Sequence, residues 1–273
     1  MRFGGGVVGP YKSPEEWASL VLKLGYSAIV FPVDYTAKLD VRNAYLKCIK
    51  ENSFSIGEVG IWRNVLSPDE GARKAAMEYS KGQLALAEEI SANCCVNISG
   101  SKGAVWDAGY KDNYSVDTYV EVIDSVREII DSVNPKRTFF TLEPMPWMIP
   151  DSPQQYLQLI KDIDRKSFGV HLDYTNMINS PTRYLNQREF IDECFDLLSP
   201  YIKSIHIKDV LMENSLPCHI HEVLPGAGSV DFMHILRRCS NLGEKMTIFT
   251  EHLRSHDEYE EASLFIRSAM EKL

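Results

Sequence analysis

Residues 168–209 read FGVHLDYTNMINSPTRYLNQREFIDECFDLLSPYIKSIHIKD. A short apolar run, Phe168 to Asp173, has the composition of a buried strand. An irregular connection follows, and then a stretch of helical period around Gln187 to Ser199. Lys203 to Lys208 is a second strand-like run. Strands separated by a helix lie parallel, because only an antiparallel pair can be joined by a tight turn. Both runs end in ionisable side chains: His171-Leu172-Asp173 in the first, His206-Ile207-Lys208-Asp209 in the second.

The same alternation extends in both directions. Further strands are expected at Phe3 to Val8, Ser27 to Val33, Ser55 to Ile61, Cys94 to Ser99, Arg137 to Glu143 and Met246 to Glu251. Helices are expected around Pro14 to Leu24, Val41 to Glu51, Pro68 to Ser91, Val116 to Val133, Pro153 to Ile163, Asp231 to Ser240 and Asp257 to Lys272. Ser13-Pro14-Glu15-Glu16, Ser67-Pro68-Asp69-Glu70 and Ser152-Pro153 carry helix-start signals: a capping hydroxyl and a first-turn proline, with early acids in the first two. In the third helix Ala72, Ala75, Ala76, Tyr79, Leu84 and Ala87 suggest a small-residue face against a sheet.

Eight units in 273 residues are about 34 residues each. Strict alternation leaves an open doubly wound sheet or a closed barrel. No GxGxxG follows the first strand, as a dinucleotide site of the open sheet would require, and Gly4-Gly5-Gly6 lies inside that strand, where it relieves backbone crowding. The expected architecture is an α/β (β/α)8 TIM barrel forming one domain over residues 1–273. The irregular stretches Gly100 to Ser115, Asn176 to Asn186 and Val210 to Ser229 all follow strands. They therefore belong to the C-terminal face of the barrel, where active sites of this fold are built.

The hydrophobic fraction of 44% supports a folded core, and 29 Lys+Arg against 38 Asp+Glu gives a net charge of −9. A nucleic-acid partner, which needs a basic face, is not expected. No stretch approaches the ~20 apolar residues of a membrane span. The N-terminal residues lack signal-peptide features. The 6 cysteines show no CxxC spacing, so buried free thiols in a reducing cytoplasm are expected.

Four successive strands end in metal-ligand residue types: Glu143, Asp173, His206 and Glu251. Barrel closure brings such ends together, and three buried carboxylates meeting one imidazole need a cation. The expected cofactor is one divalent cation with open positions, Mn2+ first, with Mg2+, Co2+ or Zn2+ as alternatives.

Leu142-Glu143-Pro144, His171-Leu172-Asp173, His206-Ile207-Lys208-Asp209, the Leu224-Pro-Gly-Ala-Gly-Ser-Val-Asp-Phe232 run and Thr250-Glu251 resemble the xylose isomerase-like TIM barrel superfamily. Within it they are most similar to the sugar phosphate isomerase/epimerase family, which includes D-tagatose 3-epimerase, inosose dehydratase and hydroxypyruvate isomerase relatives. The resemblance implies Glu143, Asp173, His206 and Glu251 as metal ligands, with Glu143 and Glu251 also the catalytic acid/base pair. It implies a loop-shaping role for Gly226 and Gly228. Asp231 is expected to cap the seventh helix. Two positions depart from the tagatose 3-epimerase pattern: Asn176 stands where that group has His, and Glu222 where it has Arg. Both positions are expected to contact substrate, and the change implies a different one.

The implied activity is that of a sugar isomerase or epimerase. One glutamate takes a proton from a polyhydroxy carbonyl compound, and the other returns one through a metal-stabilised enediolate. Dehydration of an inosose-type substrate on the same site and a non-catalytic sugar-binding barrel are the alternatives. An endonuclease IV-type activity is disfavoured, since no histidine precedes His171. Lys208 is expected to bind a substrate oxygen or to balance Asp209. Trp62, Trp106 and Trp147 are expected to wall the pocket, and Arg63, Asn64 and Asn97 to face its mouth. His171 is expected to be buried beside the site. His252 is expected to point away from Glu251, and His219 and His221 to be solvated loop residues. A homo-oligomer is compatible with the fold, but no interface is visible.

Overall fold

The computed structural model describes residues 1–273. Its main sheet contains eight parallel strands in the order β1 (Arg2–Gly5), β10 (Thr247–Thr250), β7 (Ile202–His206), β6 (Phe168–Asp173), β5 (Phe139–Leu142), β4 (Cys94–Asn97), β3 (Ser55–Gly60) and β2 (Ala28–Val30). The sheet curls until its edge strands meet. Ser27 N–H donates to Phe3 O at 2.8 Å across the seam, so the barrel is nearly closed, as the alternation of periods predicts.

Helices α1 (Pro14–Lys23), α2 (Leu39–Glu51), α3 (Glu70–Ile90), α4 (Val116–Val133), α5 (Pro153–Ile163), α8 (Gln187–Leu198), α9 (Phe232–Ser240) and α10 (His256–Met270) surround the sheet. In α4 the buried residues Val122, Ile123, Val126, Ile129 and Ile130 form one stripe, and each such burial contributes about 1.5–3 kcal/mol. Ser13 and Ser152 cap α1 and α5 as expected. The cap of α3 is Asp69, not Ser67: its carboxylate accepts from Ala72 N at 2.6 Å, while Ser67 Oγ accepts only from Asp69 N. The small-residue face of α3 is correspondingly shorter than expected. Ala72 and Ala75 are exposed in the first turns, and burial begins at Ala76.

All three stretches read as irregular contain structure, the first a single 3-10 turn at Lys111–Tyr114. Residues 174–185 form the short helices α6 (Tyr174–Met177) and α7 (Pro181–Leu185). Residues 209–223 form an antiparallel hairpin of β8 (Asp209–Glu213) and β9 (His219–Val223). Asp209 holds the base of this hairpin, accepting from Gly226 N and Gly228 N at 2.9 Å and from Val230 N at 3.0 Å. The Gly4-Gly5-Gly6 run is there for space. A Cβ on Gly5 or Gly6 would lie 2.5 Å or less from the Tyr26 or Tyr259 hydroxyl. No helix is long and apolar enough to cross a membrane. Five cysteines are buried, but Cys218 is exposed, because it lies in the hairpin and not in the core.

Candidate active site

Strand alternation stacks the inward side chains in layers. One layer contains Glu58 of β3, His171 of β6 and Ser204 of β7. The next, toward the C-terminal face, contains Glu143, Asp173, His206 and Glu251, one from the end of each of four strands. In that layer the possible ligand atoms all lie within 4.8 Å of one another. His206 Nδ1 is 2.8 Å from Glu251 Oε1, 3.4 Å from Glu143 Oε1 and 3.8 Å from Asp173 Oδ2.

These contacts are short but misaligned. Asp173 Oδ2, His206 Nδ1 and Glu251 Oε1 are buried and make no hydrogen bond. Buried polar atoms without hydrogen bonds are expensive; two of these three are ion-paired with Lys208, and all three point at one spot, which is the donor set a divalent cation takes. The residues therefore fit the expected metal: three carboxylates and one imidazole, with the other carboxylate oxygen of Asp173 already occupied as the cap of α6 through Asn176 N, at 2.9 Å.

Lys208 is the cation present. Its side chain is 1% exposed, and Nζ lies 2.7 Å from Asp173 Oδ2 and 2.6 Å from Glu251 Oε1. It does not balance Asp209, whose oxygens are taken by the loop amides. Its hydrogen bonds go to Asn176 Oδ1 at 3.4 Å and to His252 Nδ1 at 3.3 Å. Asn176 also donates to Glu143 Oε1 at 3.1 Å.

Charge separates the two glutamates. Burial and the neighbouring Glu251 raise the Glu143 pKa. Burial also opposes ionisation of Glu251, but His206 and Lys208 outweigh it and hold that carboxyl well below its ordinary range. Burial likewise opposes the charged forms of His206 and Lys208. The surrounding carboxylates prevail and hold both pKa values well above normal.

Glu58 was not anticipated. It is 1% exposed. Its Oε1 faces His171 Nε2 at 3.1 Å and accepts from the Ser204 hydroxyl, and its Oε2 lies 3.5 Å from His206 Nε2. Burial opposes its ionisation, but the two imidazoles overcome this and hold it ionised. A carboxylate behind a ligand histidine fixes which ring nitrogen faces the site. The available signal was a lone acid in the middle of the run Ser-Ile-Gly-Glu-Val-Gly.

Trp62 and Trp106 lie with Glu143, His206 and Glu251 around a cavity of about 540 Å³. Asn176, Glu222 and Trp147 line a neighbouring cavity of about 480 Å³. Two expectations, for Asn97 and His252, fail. Asn97 is fully buried and faces away from the mouth, because its amide brackets the Arg63 backbone at 3.1 and 2.9 Å. Arg63, which stacks on Tyr79 4.5 Å from the ring centroid, and Asn64, which donates to Ser101 O, instead line a further cavity of about 760 Å³ that shares Trp62 and Trp106 with the first. His252 turns toward the site, with Nε2 3.4 Å from Glu251 Oε1 and Nδ1 3.0 Å from Glu222 Oε2. Its φ of 59° ends the strand alternation on which the opposite expectation rested. His219 and His221 are exposed on β9 with parallel rings and are absent from the buried cluster.

No curated protein sequence matches the chain. Solved structures share its fold at low identity. D-psicose 3-epimerase from Clostridium cellulolyticum H10 is 16% identical over 99% of both chains, with a TM-score of 0.71. A 3-keto-D-glucoside 4-epimerase from E. coli is 15% identical over 98% of this chain and 99% of its own, with a TM-score of 0.73. A xylose isomerase-like TIM barrel protein from Mycobacterium smegmatis, in complex with magnesium, is 16% identical over 95% and 90%, with a TM-score of 0.68. The sequence matches the xylose isomerase-like TIM barrel family over residues 18–269, and the chain belongs to that family.

Proposed function

We propose that this protein is a metal-dependent sugar isomerase or epimerase in which Glu143 and Glu251 move the proton. The observation that carries the reading is the convergence of Glu143, Asp173, His206 and Glu251, with three buried atoms that make no hydrogen bond. Proteins of the same fold named as D-psicose 3-epimerase and 3-keto-D-glucoside 4-epimerase, and one in complex with magnesium, support the substrate class and a divalent cation.

The four residues would hold one cation, with Mn2+ the first to test. When bound, that cation supplies Lewis-acid polarisation of a carbonyl and its neighbouring hydroxyl. The chain does the rest. One of the two glutamates takes the proton from the carbon next to the carbonyl, and the other delivers a proton to the opposite face of that carbon, which gives epimerisation. Delivery to the neighbouring carbon gives isomerisation. Glu58 holds the His206 ring, Asn176 lies where a substrate hydroxyl would meet it, and Lys208, buried and lining neither cavity, holds the Asp173 and Glu251 carboxylates. Trp62 and Trp106 exclude water from the reacting face.

The test is proton NMR in D2O with Mn2+-loaded protein and a panel of ketoses, aldoses and inososes. Metal-dependent exchange at one carbon is expected, with Glu143→Gln and Glu251→Gln each reducing the rate by about 100-fold or more. Bound metal with no exchange in any compound would sink the catalytic reading and favour a sugar-binding barrel.

A further inference from the structure

Lys208 sits among more polar partners than it can satisfy. An ammonium has three donors. Around Nζ lie Glu251 Oε1 at 2.6 Å, Asp173 Oδ2 at 2.7 Å, His252 Nδ1 at 3.3 Å, Asn176 Oδ1 at 3.4 Å and Glu222 Oε2 at 3.6 Å. These contacts fall into two sets. The near pair belongs to carboxylates of the metal-ligand cluster. The far three belong to no member of that cluster. Two of them, Asn176 and Glu222, line the cavity beside the β8–β9 hairpin, which none of the four cluster residues lines.

Glu222 is the anion of the far set. The hairpin puts it there, because it stands opposite Val210, close after Lys208 in the chain. Its side chain is 31% exposed, so it has room to turn, whereas that of Lys208 is 1% exposed. The departure from the tagatose 3-epimerase pattern acquires a physical reason here. An arginine at this position would set a second cation against the ammonium. A glutamate gives the ammonium a partner.

The near pair cannot serve two cations equally. Asp173 Oδ1 caps α6 through Asn176 N, so Oδ2 is the oxygen that Asp173 has left to offer, and Lys208 holds it. With a divalent cation among the four ligand residues, the ammonium would face a like charge across the same oxygens. A fully buried lysine cannot turn to water instead, and a buried charge without a partner is costly.

We infer that Glu222 is the counter-ion to which Lys208 passes when the strand-end site is loaded, with Asn176 Oδ1 as a second acceptor. Glu222 is thus a positioning residue: it clears the ammonium from Asp173 and from Glu251, one of the two proton-moving carboxylates. The inference rests on the metal-dependent reading of the previous section. No covalent bond is made or broken in the transfer.

Calorimetric titration with Mn2+ and a crystal structure of the Mn2+-loaded protein test it. Glu222→Gln keeps the shape and removes the charge. It is expected to weaken Mn2+ binding about tenfold, between the effect of an exposed ion pair and that of a buried one. Glu222→Asp keeps the charge and is expected to stay within about threefold of wild type. On a Lys208→Met background the Glu222→Gln change should cost no more than about threefold, the direct attraction of a carboxylate for the cation. In the loaded crystal Nζ should lie within hydrogen-bond distance of Glu222 and no longer of Asp173. Unchanged affinity in Glu222→Gln, an equal loss with and without Lys208, or an ammonium still on Asp173 and Glu251 in the loaded protein overturns the inference and leaves the metal site standing. No Mn2+ bound by the wild-type protein overturns both.

Discussion

Lys208→Met tests whether the buried atoms without hydrogen bonds at the strand ends form a metal site. The Lys208 side chain is 1% exposed, and its ammonium lies 2.7 Å from Asp173 Oδ2 and 2.6 Å from Glu251 Oε1. Methionine preserves the apolar stem and removes the charge, leaving two buried carboxylates facing an anionic neighbourhood. Removing one partner of a buried ion pair costs about 3–5 kcal/mol, so the metal-free variant should lose roughly that much in urea unfolding at pH 8. The loss should shrink as pH falls, because the Glu251 carboxyl, no longer held down by Lys208, can take up a proton more readily. In wild-type protein, an incoming cation has to displace the ammonium from the same two oxygens. The variant carries no such competitor. Saturating Mn2+ should therefore recover about 2–3 kcal/mol of the deficit, which by linkage is roughly 30- to 150-fold tighter metal binding than wild type. Unfolding with EDTA and with Mn2+, and calorimetric titration of both proteins, give the numbers. A deficit that is the same with and without metal, or weaker Mn2+ binding by the variant, would refute the argument that metal and ammonium share those oxygens.

Tyr156→Phe should destabilise the protein by about 1–3 kcal/mol in denaturant unfolding. The buried hydroxyl lies 2.6 Å from Leu142 O and 3.1 Å from Gly169 O, and accepts from Leu142 N at 3.1 Å, stitching together the strands that present Glu143 and Asp173. Gly228→Ala should open the hairpin: its Cβ would lie 2.2 Å from Asp209 Oδ1 and 2.5 Å from Val210 O. A cost of about 1–3 kcal/mol should appear together with faster proteolysis between β8 and β9. Glu88→Gln should remove an acid-sensitive contribution. Burial raises the Glu88 pKa, but the amides of Arg137 and Thr138, at 2.9 and 3.1 Å, outweigh it and lower the value. A depressed carboxyl stabilises above its unfolded pKa, and the contribution disappears as pH falls through its folded one. Wild type should therefore exceed the variant at pH 7 by about 1 kcal/mol, and the gap should close by pH 3. A gap independent of pH would contradict the assignment.

Much of the fold was legible because barrel strands are buried on both faces. Runs such as Phe168-Gly-Val-His-Leu-Asp173 are therefore short and nearly all apolar, while serine-proline pairs mark where helices begin. Boundaries failed where two capping residues lie close together: Ser67 and Asp69 both satisfy the chemistry of a cap, and only the course of the chain selects Asp69. The hairpin failed for a different reason. His219, Ile220, His221 and Glu222 carry no apolar alternation. This pair of strands is held by backbone pairing and by the Asp209 carboxylate, which reaches 17 residues ahead to Gly226. Alternation also misplaced His252 and Asn97. It gives the inward side of a strand but not the point at which a left-handed residue or a loop contact ends the pattern.

The reacting layer was legible because its members stand at strand ends. Glu58 was not, because its partners His171 and Ser204 lie 113 and 146 residues away, and a mid-strand acid shows no such partner in sequence. Residue type and burial cannot tell the two layers apart. Glu58, His171 and His206 form a carboxylate–imidazole cluster as tight as Glu143, Asp173, His206 and Glu251. Hydrogen bonding separates them. Both oxygens of Glu58 face donors, so that group is closed, and of the lower imidazole only His171 Nδ1 is left unpaired. In the upper layer one atom from each of Asp173, His206 and Glu251 makes no hydrogen bond, and all three face one another. The Lys208 ammonium offsets part of the cost of this at Asp173 and Glu251, and the remaining hydrogen-bonding capacity of the three atoms is open to a ligand. This difference supports the proposal that the upper layer binds the ligand and the lower one is scaffold, with His206 shared between them: Nε2 toward Glu58 and Nδ1 toward the other carboxylates.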